Sequence, residues 1–234
     1  MTMLLEPERA DSDTIHIIIA DDHPMVRGAL RQAVTSAIGG AEVREVGDLP
    51  ALGDDLARGA PVDLILLDLT MPGVSGFSGL LYLRSQHPEI PVVVISACED
   101  RTIMRRCIEV GAAGYIPKST EIDEMRKAIR MIMSGEIWTP ADLDLVMPAD
   151  AAVADMMRRL SNLTPQQLRV LMMLSQGLLN KQIAYELKVS EATVKAHVSA
   201  ILQKLGVDSR TQAVIAVSKI DQGRFSREAG EATS

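Results

Sequence analysis

The sequence lacks the features that mark several large classes of protein. Of its 234 residues only Cys98 and Cys107 are cysteine. They form no CxxC pair and no even ladder of spacings, so neither a disulfide framework nor a zinc knuckle is built here, and both are expected to be buried, reduced thiols. No apolar run approaches the length that crosses a bilayer. Residues 1–13, MTMLLEPERADSD, carry acids and a proline where a secretory leader has a basic start and an apolar stretch. A soluble, cytoplasmic protein with no membrane partner is the expectation. Positive charge is not in excess either: 24 Lys and Arg stand against 31 Asp and Glu, a formal net charge of −7. Any nucleic-acid contact must therefore come from a local patch.

What is present is a normal apolar content of 47% and a length suited to two domains. From residue 15 onward, strand-like and helix-like runs alternate. IHIIIA is followed by PMVRGALRQAV, AEVREV by LPALGDDLA, LILLD by GFSGLLYLRSQ, PVVVIS by DRTIMRRCIEV, and GYIP by EIDEMRKAIRMIMSG. Five strands alternating with five helices predict an α/β doubly wound, flavodoxin-like domain over residues 14–138. Its parallel sheet is covered on both faces, which is why the strands are nearly all apolar. Residues 139–160, with two prolines and scattered acids, read as a linker with room for a short helical piece. Four short helical patterns follow and predict a small all-α helix-turn-helix domain over residues 161–222. Tails are expected at 1–13 and 223–234.

Ligands in doubly wound sheets bind beyond the carboxyl ends of the strands. IIIADDHP delivers Asp21 and Asp22 there, residues 64–76, LILLDLTMPGVSG, deliver Asp68, VVVISA delivers Ser96, and GYIPKS delivers Lys118. Crowded carboxylates repel and raise one another's pKa unless a cation neutralises them, and a hard divalent ion, Mg²⁺ first, takes such oxygen ligands. A lysine facing that cluster makes sense if a phosphoryl group arrives. One aspartate then becomes the nucleophile, since carboxylates form aspartyl-phosphates. Each residue alone has a plainer explanation: Asp22 as a helix N-cap, Lys118 as a solvated cation, Tyr115 as core. Their joint placement at successive strand ends does not.

These residues, with the D-x-x-M-P-x-x-x-G pattern running from Asp68 to Gly76 and Tyr115 three positions before Lys118, resemble the receiver domain of two-component response regulators. The resemblance implies that Asp68 accepts a phosphoryl group from a phosphohistidine on a sensor histidine kinase or phosphotransfer protein. It further implies that Asp22 and Asp68 bind Mg²⁺ through their side chains, Asp21 mainly through water, and Thr70 through its backbone carbonyl. Lys118 would pair with phosphoryl oxygens, the Ser96 hydroxyl would draw its loop inward, and Tyr115 would change rotamer to fill the space this opens. Two look-alikes fall away. Glycines 73, 76 and 79 are spaced GxxGxxG after a Met-Pro turn, unlike a dinucleotide loop, and Thr70 stands where an aspartate-nucleophile phosphatase often keeps its general acid. No enzyme acting on an outside substrate is expected, only gain and loss of the protein's own phosphoryl group.

In the second domain Thr164, Pro165 and Gln167 predict a capping box, and Ser190 caps the helix opening EATVKAHVSAILQKL. On that helix Val194, Val198, Ile201 and Leu205 share a face, with Leu202 beside it. Lys195, Ala196, Ser199 and Gln203 cluster opposite, a sparse face suited to a major groove. Within residues 161–221 seven cations meet four acids, a net of +3 that leaves −10 for the rest. Opposite signs favour DNA binding confined to one domain and an intramolecular off-state.

LTPQQLRVL, GLLNKQIAYEL and VSEATVKAHVSAILQKLGVDSRTQAV resemble the four-helix LuxR-type domain, so the whole chain resembles a NarL/FixJ-type response regulator. That implies groove or base contacts from Lys195, Ala196 and Ser199 and phosphate-side contacts from Lys181 and Arg210. It also implies a dimerisation surface on the last helix, residues 208–218, and a homodimer that binds a double-stranded DNA operator once phosphorylated. Gln166 and Gln167 replace a common Arg-Glu pair. His197 has no partner at ligand spacing and reads as helix packing or a phosphate-side donor. The alternative function is a receiver serving as a phosphate sink or as a phosphorylation-independent protein-interaction switch.

Overall fold

The computed structural model describes residues 14–74, 76–143 and 151–221, so both expected tails, Ser75 and residues 144–150 of the expected linker lie outside the described residues. Five strands, β1 (His16–Ala20), β2 (Glu42–Val46), β3 (Leu64–Asp68), β4 (Val92–Ser96) and β5 (Gly114–Pro117), form one sheet in the order β2-β1-β3-β4-β5. Every pairing is parallel. Between them run α1 (Pro24–Ala37), α2 (Leu49–Ala57), α3 (Ser78–Gln86), α4 (Arg101–Glu109) and α5 (Ile122–Met133). Side chains alternate between the faces of a strand. Ile17, Ile19, Leu64 and Leu66 accordingly pack with α1 and α5. Ile18, Ile65, Leu67 and Val94 pack with α2, α3 and α4. Strand order reverses between β1 and β3, and that crevice is where Asp21, Asp22 and Asp68 emerge.

The chain after α5 turns back along β5. The Trp138 amide donates to Ala113 at 3.3 Å, and the Tyr115 amide donates to the Trp138 carbonyl at 3.0 Å. Glycine is required at 114: a Cβ there would lie 2.9 Å from the Trp138 oxygen and 2.7 Å from Ile132 Cδ1.

The second domain contains α7 (Pro165–Ser175), α8 (Asn180–Glu186), α9 (Glu191–Leu205) and α10 (Arg210–Asp221), preceded by α6 (Ala151–Ser161). Residues 151–160 of the stretch read as a linker are therefore helix, in line with the short helical piece expected there. Thr164 and Gln167 form the expected capping box, and Ser190 accepts from the Thr193 amide. The N-cap of α1 is His23, with no side-chain cap bond, so Asp22 does not cap that helix.

The two domains pack through α3. It is buried from Ser78 to Leu83, with the sheet on one side and α6 and α7 on the other. The larger core cluster accordingly runs from Leu67 and Leu80 into Leu160, Leu168 and Leu171. A helix apolar all round is one that is covered all round.

Candidate functional site

β1 and β3 place three carboxylates in one crevice, two of them sealed from solvent: Asp21 is 1% exposed and Asp68 0%. Lys118, carried in just past β5 and only 17% exposed, lies 2.7 Å from Asp21 Oδ2 and 3.2 Å from Asp68 Oδ2. The Thr70 hydroxyl donates to the same Asp68 oxygen at 2.9 Å. Asp68 Oδ1 is buried and accepts no hydrogen bond. Burial raises the Asp68 pKa from its ordinary value; the Lys118 ammonium opposes this and the Asp21 charge adds to it. A buried carboxylate with one oxygen held and the other unpartnered is prepared for an electrophile or a cation.

Ligand atoms of Asp21, Asp22, Asp68 and also His23 lie within 4.8 Å of one another, so the cluster is compatible with a bound metal ion. His23 was not anticipated. Its amide donates to Asp21 Oδ1 at 2.8 Å and its Nδ1 lies 2.6 Å from Asp22 Oδ1. Arg27 was also not anticipated: it donates to the Asp21 carbonyl at 2.7 Å and to Glu45 at 3.1 Å, stapling the loop to β2. Hydrogen bonding from Arg31 and then Arg27 holds the Glu45 carboxyl below its usual range. No sequence spacing marks Arg27, because its partners are a backbone carbonyl and a glutamate on a neighbouring strand.

Ser96 is fully buried at the end of β4. Its hydroxyl accepts from the Cys98 amide at 3.1 Å, and the Tyr115 phenol donates to the Cys98 carbonyl at 2.5 Å. Both residues named as switch elements therefore hold the loop between β4 and α4, with Tyr115 already inside the core. Burial drives its phenol pKa far upward, against a smaller opposing effect of hydrogen bonding with Ser96. Cys107 is buried as expected, whereas Cys98 is only half-buried.

In the second domain Val194, Ile201 and Leu205 are fully buried on α9, while Val198 and Leu202 pack partly buried beside them. Lys195, Ala196, Ser199 and Gln203 are exposed on the opposite face, and Lys181 is exposed on α8. Lys195 Nζ reaches Glu191 at 3.1 Å, one turn earlier. Arg210 is half-buried and donates to the Leu178 carbonyl at 2.5 Å, an internal bond that the expected phosphate-side contact did not include. Gln167 does more than close its capping box, since Lys204 Nζ donates to its Oε1 at 2.8 Å. His197 is half-buried.

Residues 17–130 match the family of the response regulator receiver domain, and residues 161–217 match the bacterial regulatory proteins of the luxR family. The glycerol metabolism activator of Pseudomonas putida is 42% identical over 213 residues, covering 88% of this chain and 96% of that one. The nitrate/nitrite response regulator protein NarL of Escherichia coli is 35% identical over 203 residues, covering 85% and 93%. Among solved structures, the RcsB response regulator of Salmonella typhimurium superposes with a TM-score of 0.51 at 23% identity, over 88% of this chain and 99% of that one. A structure of the RcsB–DNA complex gives 0.53 at 23%, over 89% and 100%. At that identity the likeness is one of fold.

Proposed function

The chain belongs to the response regulators that join a receiver domain to a LuxR-type DNA-binding domain, and from that premise we propose that Asp68 is the phosphoacceptor whose modification drives operator binding. The observation that carries this reading is the unpartnered, fully buried Oδ1 of Asp68 beside a lysine already within 3.2 Å of the other oxygen. Oδ1 attacks the phosphorus of a phosphohistidine on a sensor histidine kinase or phosphotransfer protein. The P–N bond breaks, and its electron pair leaves with the imidazole nitrogen, which takes up a proton. Lys118 releases Asp68 Oδ2 for the new phosphoryl oxygens. No outside substrate is turned over.

Asp21, Asp22 and Asp68, with the Thr70 carbonyl, are the residues that would hold Mg²⁺; the crowding of the three carboxylates, the unpartnered Asp68 Oδ1 and the burial-raised pKa of Asp68 fit that ion. Bound there, it supplies positive charge against the carboxylates and the incoming phosphoryl group. The Ser96 hydroxyl and Tyr115 then exchange their loop contacts as the loop between β4 and α4 moves toward the phosphoryl oxygens.

On the DNA side, α9 presents Lys195, Ala196 and Ser199 to a major groove, with Lys181 toward phosphate. Dimerisation runs through α10, where Ile215 stands 46% exposed; two-fold pairing then sets paired half-sites. RcsB, a fold neighbour, has been solved as dimers bound to DNA. Among the described residues no helix is long and apolar enough to cross a membrane, and the work of a DNA-binding regulator places the protein in the cytoplasm.

The test is intact mass after incubation with acetyl phosphate and Mg²⁺, wild type against Asp68→Asn, followed by sizing and selection from random duplexes. The expected result is one phosphoryl group on wild type alone, then dimerisation and tighter binding of selected DNA. Phosphorylation without any gain in selected binding would instead support the phosphate-sink alternative.

A further inference from the structure

The carboxyl end of α9 is fastened from outside its own domain core. The last carbonyls of a helix have no partner within it, and here the Leu205 carbonyl accepts from Arg159 Nη1 of α6 at 2.9 Å. Asp155, one turn earlier on α6, accepts from Arg159 Nε at 2.7 Å and fixes the direction of the guanidinium. The fit is close on the other side as well. Gly206 is the left-handed C-cap of α9, and a Cβ on it would lie 2.2 Å from Arg159 Nη1. Any side chain at 206 would push the clamp away.

The next residue of α6 faces elsewhere. Leu160 is 2% exposed and lines a narrow crevice with Ser78 and Leu81 of α3 and with Leu168 and Leu171 of α7. Helix α3 is the first element after β3, which ends at Asp68, and the loop that carries Thr70. Two consecutive residues of α6 therefore touch the end of the DNA-facing helix and the helix behind the phosphorylation loop.

We propose that Arg159 is a positioning residue for DNA recognition, setting the end of α9 against α6, and that Leu160 ties this setting to the receiver through α3. The proposal rests on the reading of α9 as the DNA-facing helix. The guanidinium makes one bond at the carboxyl end of α9, where a cation is favoured, and is held in place by a second to Asp155 on its own helix. Its two bonds, to Asp155 and to the Leu205 carbonyl, both lie within the protein, so its role is to set the angle of α9.

The test uses the full-length protein and a duplex selected by phosphorylated wild type. Affinity, its salt dependence and its gain on phosphorylation are measured for Arg159→Met, Arg159→Lys, Gly206→Ala and Leu160→Ala. Arg159→Met should weaken binding about tenfold with an unchanged slope of log affinity against log salt, while Asp68 gains its phosphoryl group at the wild-type rate. Arg159→Lys should recover part of the affinity, and Leu160→Ala should shrink the gain on phosphorylation. Wild-type affinity in Arg159→Met overturns the positioning role even if its melting temperature drops. A slope reduced by about one charge would make Arg159 a phosphate contact and overturn it too. An unchanged gain in Leu160→Ala overturns the tie to the receiver. If Arg159→Met fails to fold, wild-type affinity in Gly206→Ala, whose Cβ displaces the guanidinium, together with wild-type gain in Leu160→Ala overturns the proposal. If wild type selects no duplex, the DNA-binding reading falls and takes this one with it, an outcome distinct from a variant that matches wild type.

Discussion

The carboxyl edge of the sheet and the outer face of α9 are both polar sites, yet they are built on opposite terms. Asp21, Asp68 and Ser96 are sealed in the interior, and each meets a charge, an amide or a hydroxyl. Lys195, Ala196 and Ser199 lie in solvent, and the lysine's contact is an exposed ion pair with Glu191. A buried site stores electrostatic cost in the fold, so altering it changes stability and chemistry together. An exposed reading face carries no such cost, and altering it changes binding alone.

The comparison breaks most sharply at Asp68. Asp68→Asn should abolish the mass gain from acetyl phosphate while leaving a protein that folds. It should also remove a pH dependence. Because the folded-state pKa of Asp68 is raised, the native state binds the proton more tightly than the unfolded chain, so wild-type stability falls as pH rises from the ordinary carboxylate value to the raised one. With metal chelated, melting curves across that window should slope downward for wild type and less steeply for Asp68→Asn. An equal slope in both proteins would contradict the burial account. Lys118→Met comes next. It strips the cation from two buried carboxylates and should cost about 3 kcal/mol in chelated buffer, as read by urea denaturation, with Mg²⁺ restoring part of it.

On the reading face, Lys195→Ala should lower affinity for selected DNA about fivefold and reduce the salt slope by about one, with the denaturation midpoint unmoved. A shift in midpoint comparable to that of Lys118→Met would erase the distinction between the two sites. The smallest effect is expected from Glu191→Ala, within about 0.5 kcal/mol of wild type in urea denaturation.

The same contrast governs what the sequence discloses. Asp21, Asp22, Asp68, Ser96 and Lys118 sit one after another at the ends of apolar strands, and a parallel sheet brings strand ends together whatever the loops do. Their convergence was legible for that reason, and so was the buried stripe Val194, Ile201 and Leu205, set by helical period. What stayed hidden depends on which surfaces meet. The run GFSGLLYLRSQ is apolar around its whole circumference, a mark of a helix covered on both sides, but it does not say that α6 and α7 supply the second cover. Residues 151–160 of the stretch read as a linker became α6 because the helix gains Leu160 and Arg159 as tertiary anchors, which local propensity cannot register. Arg210, expected on the phosphate side, also donates to the Leu178 carbonyl, a bond that sequence spacing does not register, since a guanidinium serves a backbone acceptor as readily as a phosphate. Arg27 reaches the acidic loop through the Asp21 carbonyl, and His23 through its own amide and its Nδ1, contacts that no motif records.

The return of the chain beside β5 bears on how these molecules behave when crowded. β5 is an outermost strand, and an outermost strand offers bare amides and carbonyls that can recruit a strand from a neighbouring molecule. Ala113 and Tyr115 have given theirs to Trp138, so that part of the margin is closed by the protein's own backbone. The missing side chain at Gly114 lets it lie that close. A Gly114→Ala substitution would then matter less for signalling than for solubility, because freeing the margin would turn a private pairing into a public one.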